Sequence, residues 1–190
     1  MELTFRTREG RFNYRVGAII IHQGKVLMIK NNQVPYFYSV GGRVNYDETS
    51  DEAVRREVKE ELGIEIEIDR PLFLHECFFD DETTKEHFHE VSLYYLMKTP
   101  DNIGKIICKS VDEKGNMEEI FWMPIDRYGE FNAYPSFFAT ELTHLPENMR
   151  HIVEIQKRRK VSPEYMEKFF FDNLAKTVLK NFAERLGVRG

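Results

Sequence analysis

Cysteine is scarce in this chain: Cys77 and Cys108 are the two present, and they stand in unrelated contexts. With no paired spacing of the metal or redox kind, a disulfide framework and a four-cysteine zinc fold are excluded, and both thiols are expected reduced, in or near a core. Long apolar runs are missing too. Nowhere do eighteen apolar residues stand together, and Met1-Glu2-Leu3-Thr4-Phe5-Arg6 opens no apolar stretch, so neither a membrane span nor an export signal is expected and the protein reads as cytoplasmic. An excess of positive charge is also lacking, since 27 Lys and Arg face 32 Asp and Glu for a net charge of -5. No broad positive field exists to hold duplex nucleic acid or an anionic membrane, so a polyanionic ligand must be gripped locally. Repeats and low-complexity segments are absent. What remains, 42% hydrophobic and 13% aromatic residues in a chain of 190, is enough for one packed domain with a substantial core.

Along the chain, Phe12 to His22 and Lys25 to Lys30 are strand-like and flank Gln23-Gly24, which predicts a hairpin. Tyr36 to Val40 reads as a short strand ended by Gly41-Gly42. Thr49 then stands three residues before Glu52 as a capping box, Val54, Val58 and Leu62 recur at helical spacing, and Gly63 stops the run, which predicts a helix over 50–62. Ile64 to Ile68 alternates as a strand, Leu72 to Phe79, Val91 to Met97 and Glu119 to Met123 read as further strands, and Pro100 to Asn116 as a long connection. Pro135 opens a predicted helix reaching Leu145. Beyond a basic linker, Lys157 to Lys160, Ser162-Pro163 begins an amphipathic helix whose apolar face runs from Met166 to Leu186. That face packs on its own domain or forms a homodimer interface. The organisation is therefore a domain over 1–160 with a helical extension over 161–190.

The helix at 50–62 carries Glu57, Glu60 and Glu61. With Glu57 at zero, a step of 100° per residue puts Glu60 about 60° to one side and Glu61 about 40° to the other, so the three carboxylates share one arc. Like charges at this spacing repel by a few tenths of a kcal/mol per pair. Val54, Val58 and Leu62 occupy the neighbouring arc, so burying them pins the acids at the core's edge. An ordinary KEE-type run is solvated helix surface, but clustered carboxylates on a rigid element suit a hard divalent cation, Mg²⁺ or Mn²⁺, which relieves their repulsion. Mg²⁺ keeps waters and is completed by substrate phosphate oxygens, which points to a phosphate-bearing ligand and metal-assisted attack by water. Arg56 can clamp a carboxylate, and the double glycine can bring a backbone carbonyl to the metal.

The full spacing is Gly42, five residues, Glu48, seven residues, Arg56-Glu57-Val58, one residue, Glu60-Glu61, one residue, Gly63-Ile64. It resembles the box of the Nudix (MutT-type) hydrolases, G-x5-E-x7-R-E-U-x-E-E-x-G-U with U aliphatic, at every specified position. The resemblance implies an α+β fold, an α/β/α sandwich on a mixed sheet. It also implies divalent-metal-dependent hydrolysis of the diphosphate linkage in a nucleoside diphosphate joined to another moiety. Carried over by position, Glu57, Glu60 and Glu61 are the implied metal ligands, Glu57 the favoured general base and Arg56 its orienting partner. Gly42 or Gly41 offers a carbonyl, while Glu48 and Gly63 fix the loop and helix. Glu119, three residues before Trp122, matches an extra acid of many relatives and competes with a surface-charge reading. One departure is Ser39-Val40 before the glycines, where the family often has Leu-Pro.

Substrate choice lies outside the box. Arg15, Tyr14 and Tyr38, with Arg11, Phe12, Tyr36 and Phe37, stand on segments able to meet phosphates or stack a base, with core packing as the alternative. His75, His87 and His89, beside Glu76 and Glu90, flank strand patterns, where one of the acids could serve as a base. A nucleoside triphosphate is the favoured substrate, ahead of ADP-ribose or another nucleotide conjugate. A nucleotide sensor without turnover and an isoprenoid diphosphate isomerase are the other readings; the first would lack an acid or carry a DNA-binding segment, and the second needs an acid-base pair that is not evident.

Overall fold

The computed structural model describes residues 1–31, 34–81, 84–105, 109–111 and 117–155, which all belong to one compact unit, Met1–Gln156. Cys108, the 157–160 basic run and the 161–190 extension lie outside the described residues. Among the described residues no helix is long and apolar enough to cross a membrane.

Two six-stranded sheets build the unit. The first runs β1 (Thr4–Arg6), β2 (Arg11–Ile19), β8 (His87–Met97), β7 (Ile68–Asp80), β12 (Arg150–Ile155), with β6 (Gly41–Arg43) also on β2. The second runs β11 (Ala133–Tyr134), β5 (Phe37–Ser39), β4 (Lys25–Asn31), β10 (Met117–Pro124), β9 (Lys109–Val111), with β3 (Ile21–His22) on β4. Both are mixed: β2 with β8, β7 with β12 and β5 with β11 are parallel, and the other pairs antiparallel.

Strand alternation divides the apolar residues between two cores. Val16 and Ala18 of β2 and Leu27 and Ile29 of β4 meet Ala53, Val54, Val58 and Leu62 of helix α1 (Ser50–Leu62). Ile19, Val26 and Met28 turn the other way, onto Phe73, Tyr94, Tyr128 and Phe138. Helical segments therefore lie on both sides of mixed sheet, as expected of the sandwich: α1 on one, the 3-10 turn Ile125–Glu130 and the short α2 (Phe138–Glu141) on the other.

Helix α1 has the predicted limits. The Glu52 N–H donates to the Thr49 hydroxyl at 3.2 Å, the Thr49 N–H donates back to the Glu52 carboxylate at 2.9 Å, and Gly63 closes the helix at φ 69°. Three segments differ from expectation. The predicted hairpin divides between sheets, since only Ile21–His22 pairs with β4 while β2 enters the first sheet. Ile64 to Glu67 is not a strand: its isoleucines reach the core from a crossing that belongs to neither sheet, and β7 begins at Ile68. The helix predicted from Pro135 to Leu145 shrinks to four residues: Phe138, Ala139 and Thr140 donate to the carbonyls three residues back, the bonds of a tight turn, and Phe137, Phe138 and Leu142 fill the second core.

Candidate active site

Strand β6 carries Gly41 and Gly42 beneath α1, paired with Gly17 and Val16 of β2. A Cβ on Gly42 would lie 2.2 Å from Glu57 Oε1, and one on Gly41 would lie 2.2 Å from the Val16 carbonyl oxygen. Gly41 takes φ +141°, where side chains are strained, and its N–H donates to Glu61 Oε2 at 3.2 Å. The double glycine thus lets the strand run directly under two carboxylates.

Arg56 ties the acids together. It clamps Glu48 with two bonds, Nε to Oε1 at 2.7 Å and Nη2 to Oε2 at 3.0 Å. Its Nη1 reaches Glu57 Oε1 at 2.7 Å and Glu60 Oε2 at 3.1 Å, and Nη2 also donates to the Arg43 carbonyl. The Glu48 bond, above all, holds Arg56 charged against its desolvation, and the same bond pulls the Glu48 carboxyl below the ordinary carboxylate range.

The acids on the shared arc sit in unlike surroundings. Glu57 has 13% of its side chain exposed and Glu60 59%. Burial raises the Glu57 carboxyl, opposed by Arg56. Burial, then the charges of Glu118 and Glu57, hold Glu61 well above its ordinary range in spite of the Gly41 N–H. Glu118, a buried residue of β10, accepts from the Tyr38 hydroxyl at 2.6 Å, and Asn31 donates to that hydroxyl at 3.0 Å. Arg15 on β2 faces the acids from the other side. Burial disfavours its charge, but Glu90, 3.9 Å away, with Tyr94, Glu57 and Glu61 outweighs burial and raises its pKa. Convergent, partly desolvated carboxylates with one flanking guanidinium make an oxygen-donor pocket of the kind a hard divalent cation and a phosphate share.

The NUDIX domain family model matches residues 11–140. The chain belongs to the Nudix family. It is a pyrophosphohydrolase of the class that acts on nucleoside diphosphate derivatives, generally with divalent metals. The mutator MutT protein of Bacillus halodurans is 14% identical over 80% of this chain and 92% of that one, at a TM-score of 0.55. A NUDIX hydrolase from Nitrosomonas europaea is 13% identical, covering 80% and 82%, at 0.50. Both share the fold. A MutT NUDIX hydrolase from Burkholderia pseudomallei is 28% identical over 60% of this chain and 84% of that one, at 0.43. No curated protein matches the chain.

Within this Nudix unit the structure brings Glu57, Glu61, Arg56, Gly42, Tyr38 and Arg15 together, with Glu48 and Gly63 at the loop and helix end. Glu60 stands on the exposed flank, held by Arg56. Tyr14 is separated from Arg15 by strand alternation and packs against the α1 core. Glu119 is exposed, and its neighbour Glu118 points inward. The period-two pattern of β10 carries the signal for Glu118, which shares its parity with Ile120 and Trp122, both packed on the α1 core. Of the histidines, His75 is buried against Glu154, His87 bonds Asp80, and His89 lies between Phe12 and Phe78. Glu76 bonds His151 instead of reaching the acids.

Proposed function

We propose that this protein hydrolyses the diphosphate linkage of a nucleoside diphosphate joined to another group, with a nucleoside triphosphate as first substrate and Mg²⁺, replaceable by Mn²⁺, as the ion. The observation that carries the reading is the meeting of the half-buried Glu57 and Glu61 of α1 with the buried Glu118, where Arg56, the Gly41 N–H and the Tyr38 hydroxyl are donors among the described residues. Three desolvated carboxylates repel one another, and an oxygen-seeking divalent cation fits that donor set. Glu57, Glu60 and Glu61 would hold it, with the Gly42 or Gly41 carbonyl beside them and Glu118 in the place given to Glu119 by sequence. When bound, the ion supplies charge neutralisation at phosphate oxygens and lowers the pKa of water.

The chain's own groups divide the remaining work. Arg56 fixes Oε1 of Glu57, while Oε2, which has no hydrogen bond among the described residues, would take a proton from the attacking water. Burial raises the basicity of that carboxylate. Arg15 offers a guanidinium to a phosphate across from the acids, and Tyr38, held by Glu118 and Asn31, lines the same side. The reaction is assigned to the 1–160 domain.

The test is a panel of nucleoside triphosphates, diphosphate sugars, dinucleoside polyphosphates and ADP-ribose with Mg²⁺ or Mn²⁺, in oxygen-18 water. Glu57→Gln should lower the rate by about 10²–10⁴-fold. Unchanged turnover in Glu57→Gln and Glu60→Gln would remove the chemistry from this helix. Tight nucleotide binding without turnover across the panel would leave a sensor in its place.

A further inference from the structure

The polar ladder on the inner face of the first sheet does not end at Arg15. In register across the strands, Asn13 of β2 stands beside Glu90 of β8, Glu90 beside Cys77 of β7, and Cys77 beside Glu154 of β12. His75 shares the face of Cys77, two residues away on the same strand. Asn13 donates to Glu90 at 3.1 Å, and His75 Nε2 meets Glu154 Oε2 at 2.9 Å. The Cys77 thiol makes no disulfide and no hydrogen bond among the described residues, although it is buried beside the charges of Glu154 and Glu90. Ligand atoms of His75, Cys77 and Glu154 all lie within 4.8 Å of one another.

We propose that His75, Cys77 and Glu154 form a second metal site, distinct in chemistry from the glutamate cluster, that takes a borderline-soft divalent ion such as Zn²⁺ and clamps edge strand β12 to β7. One sulfur, one imidazole nitrogen and one carboxylate oxygen make a donor set that Zn²⁺ accepts and Mg²⁺ does not. Tetrahedral ligands at ~2.0–2.3 Å from the ion stand about 3.3–3.6 Å apart. The three side chains therefore need shifts below about 1 Å, with the 2.9 Å His75–Glu154 contact opening slightly. Charge favours the same ion, since a thiolate, a carboxylate and a neutral imidazole cancel its two positive charges. Uptake releases the Cys77 proton to solvent and leaves the remaining His75 proton on Nδ1, so that Nε2 can donate its lone pair.

The surroundings supply support and access. Ser136 donates a hydrogen bond to Glu154 Oε1, orienting the carboxylate, and the His75 ring is held between Phe137, 4.8 Å away, and Tyr94 at 6.2 Å. Ser136 is exposed and Glu154 partly so, and from that side water would complete the fourth position of a bound ion. No pattern of paired cysteines announces such a site, because its ligands are a His-x-Cys on one strand and a carboxylate from a distant one.

Cobalt separates the two sites. The full chain is stripped with chelator, held in excess Mg²⁺ to occupy the oxygen donors, and titrated with Co²⁺. The expected result is a thiolate-to-cobalt charge-transfer band that saturates at one equivalent and disappears on adding Zn²⁺. Cys108→Ser keeps the band; Cys77→Ser loses it. Glu154→Gln, which leaves the thiol in place, weakens the affinity read from the same band. Zn²⁺ also raises the melting temperature of the wild type in a concentration-dependent way. No band in the wild type at stoichiometric Co²⁺ overturns the site whatever the variants do. So does a band that survives in Cys77→Ser.

Discussion

A single hydrogen at the α-carbon of Gly42 decides where the Glu57 carboxylate sits, since a methyl there would stand 2.2 Å from Oε1. The atom it would strike is the end of a side chain, so Gly42→Ala is expected to displace the carboxylate and spare the fold. A displacement of about 1 Å at a reacting group costs roughly 10²-fold in rate. Steady-state kinetics should therefore show kcat/KM falling by that order, with a melting temperature close to wild type. At Gly41 the same methyl meets the Val16 carbonyl at φ +141°, so Gly41→Ala damages stability as well. A Gly42→Ala enzyme at full rate would take Glu57 out of the reacting centre. The residue scale is also where sequence reading slipped. In the run Met117-Glu118-Glu119-Ile120 a one-residue shift exchanges the two faces of a strand, and family spacing pointed to exposed Glu119 while Ile120 and Trp122 fix the inward face on Glu118.

Among elements, α1 was legible because its signals are local. Thr49 and Glu52 cap it, Gly63 stops it, and the stripe of Val54, Val58 and Leu62 points to one core. Strand β12 and the reduction of α2 were not legible, because one depends on pairing with β7 and the other on Phe137 and Phe138 filling a core built from distant strands. The clamp between α1 and its preceding loop lies between these cases. The resemblance to the Nudix box implies a structural role for Glu48, but its two bonds to Arg56 appear only in three dimensions. Arg56 holds the Glu48 carboxyl below its unfolded value of 4.5, so the pair stabilises the fold above that pH. The contribution is lost as pH falls through the lowered folded pKa. Glu48→Gln should cost about 1–2 kcal/mol at pH 7. Urea midpoints should show the gap from wild type closing in acid below the range of ordinary carboxylates. A gap of the same size at pH 3 would mean that the clamp acts through packing and not through charge.

For the whole molecule, the two cores hold the sheets and α1 in a fixed relation, and that rigidity keeps Glu61 where burial, Glu118 and Glu57 all oppose its charge. A group whose folded pKa is raised above its unfolded value gives stability at low pH and loses it as pH climbs from the unfolded value through the folded one. In chelator the wild type should therefore lose stability relative to Glu61→Gln as pH rises from about 4.5, the ordinary glutamate value. Glu61→Gln keeps an oxygen for the Gly41 N–H and removes the charge. Without metal at pH 8 the variant should melt higher than wild type, by roughly 2–4 °C for each kcal/mol of repulsion removed in a chain of this size. On adding Mn²⁺ the order should reverse, because the wild type holds the ion with one carboxylate more than the variant and so gains more stability from binding it. Thermal melts at pH 5 and pH 8, with and without the ion, read all four cases. If the glutamine variant melts lower than wild type at pH 8 in chelator, the acids under α1 are not in mutual repulsion, and the pocket has no unmet charge for a cation to relieve.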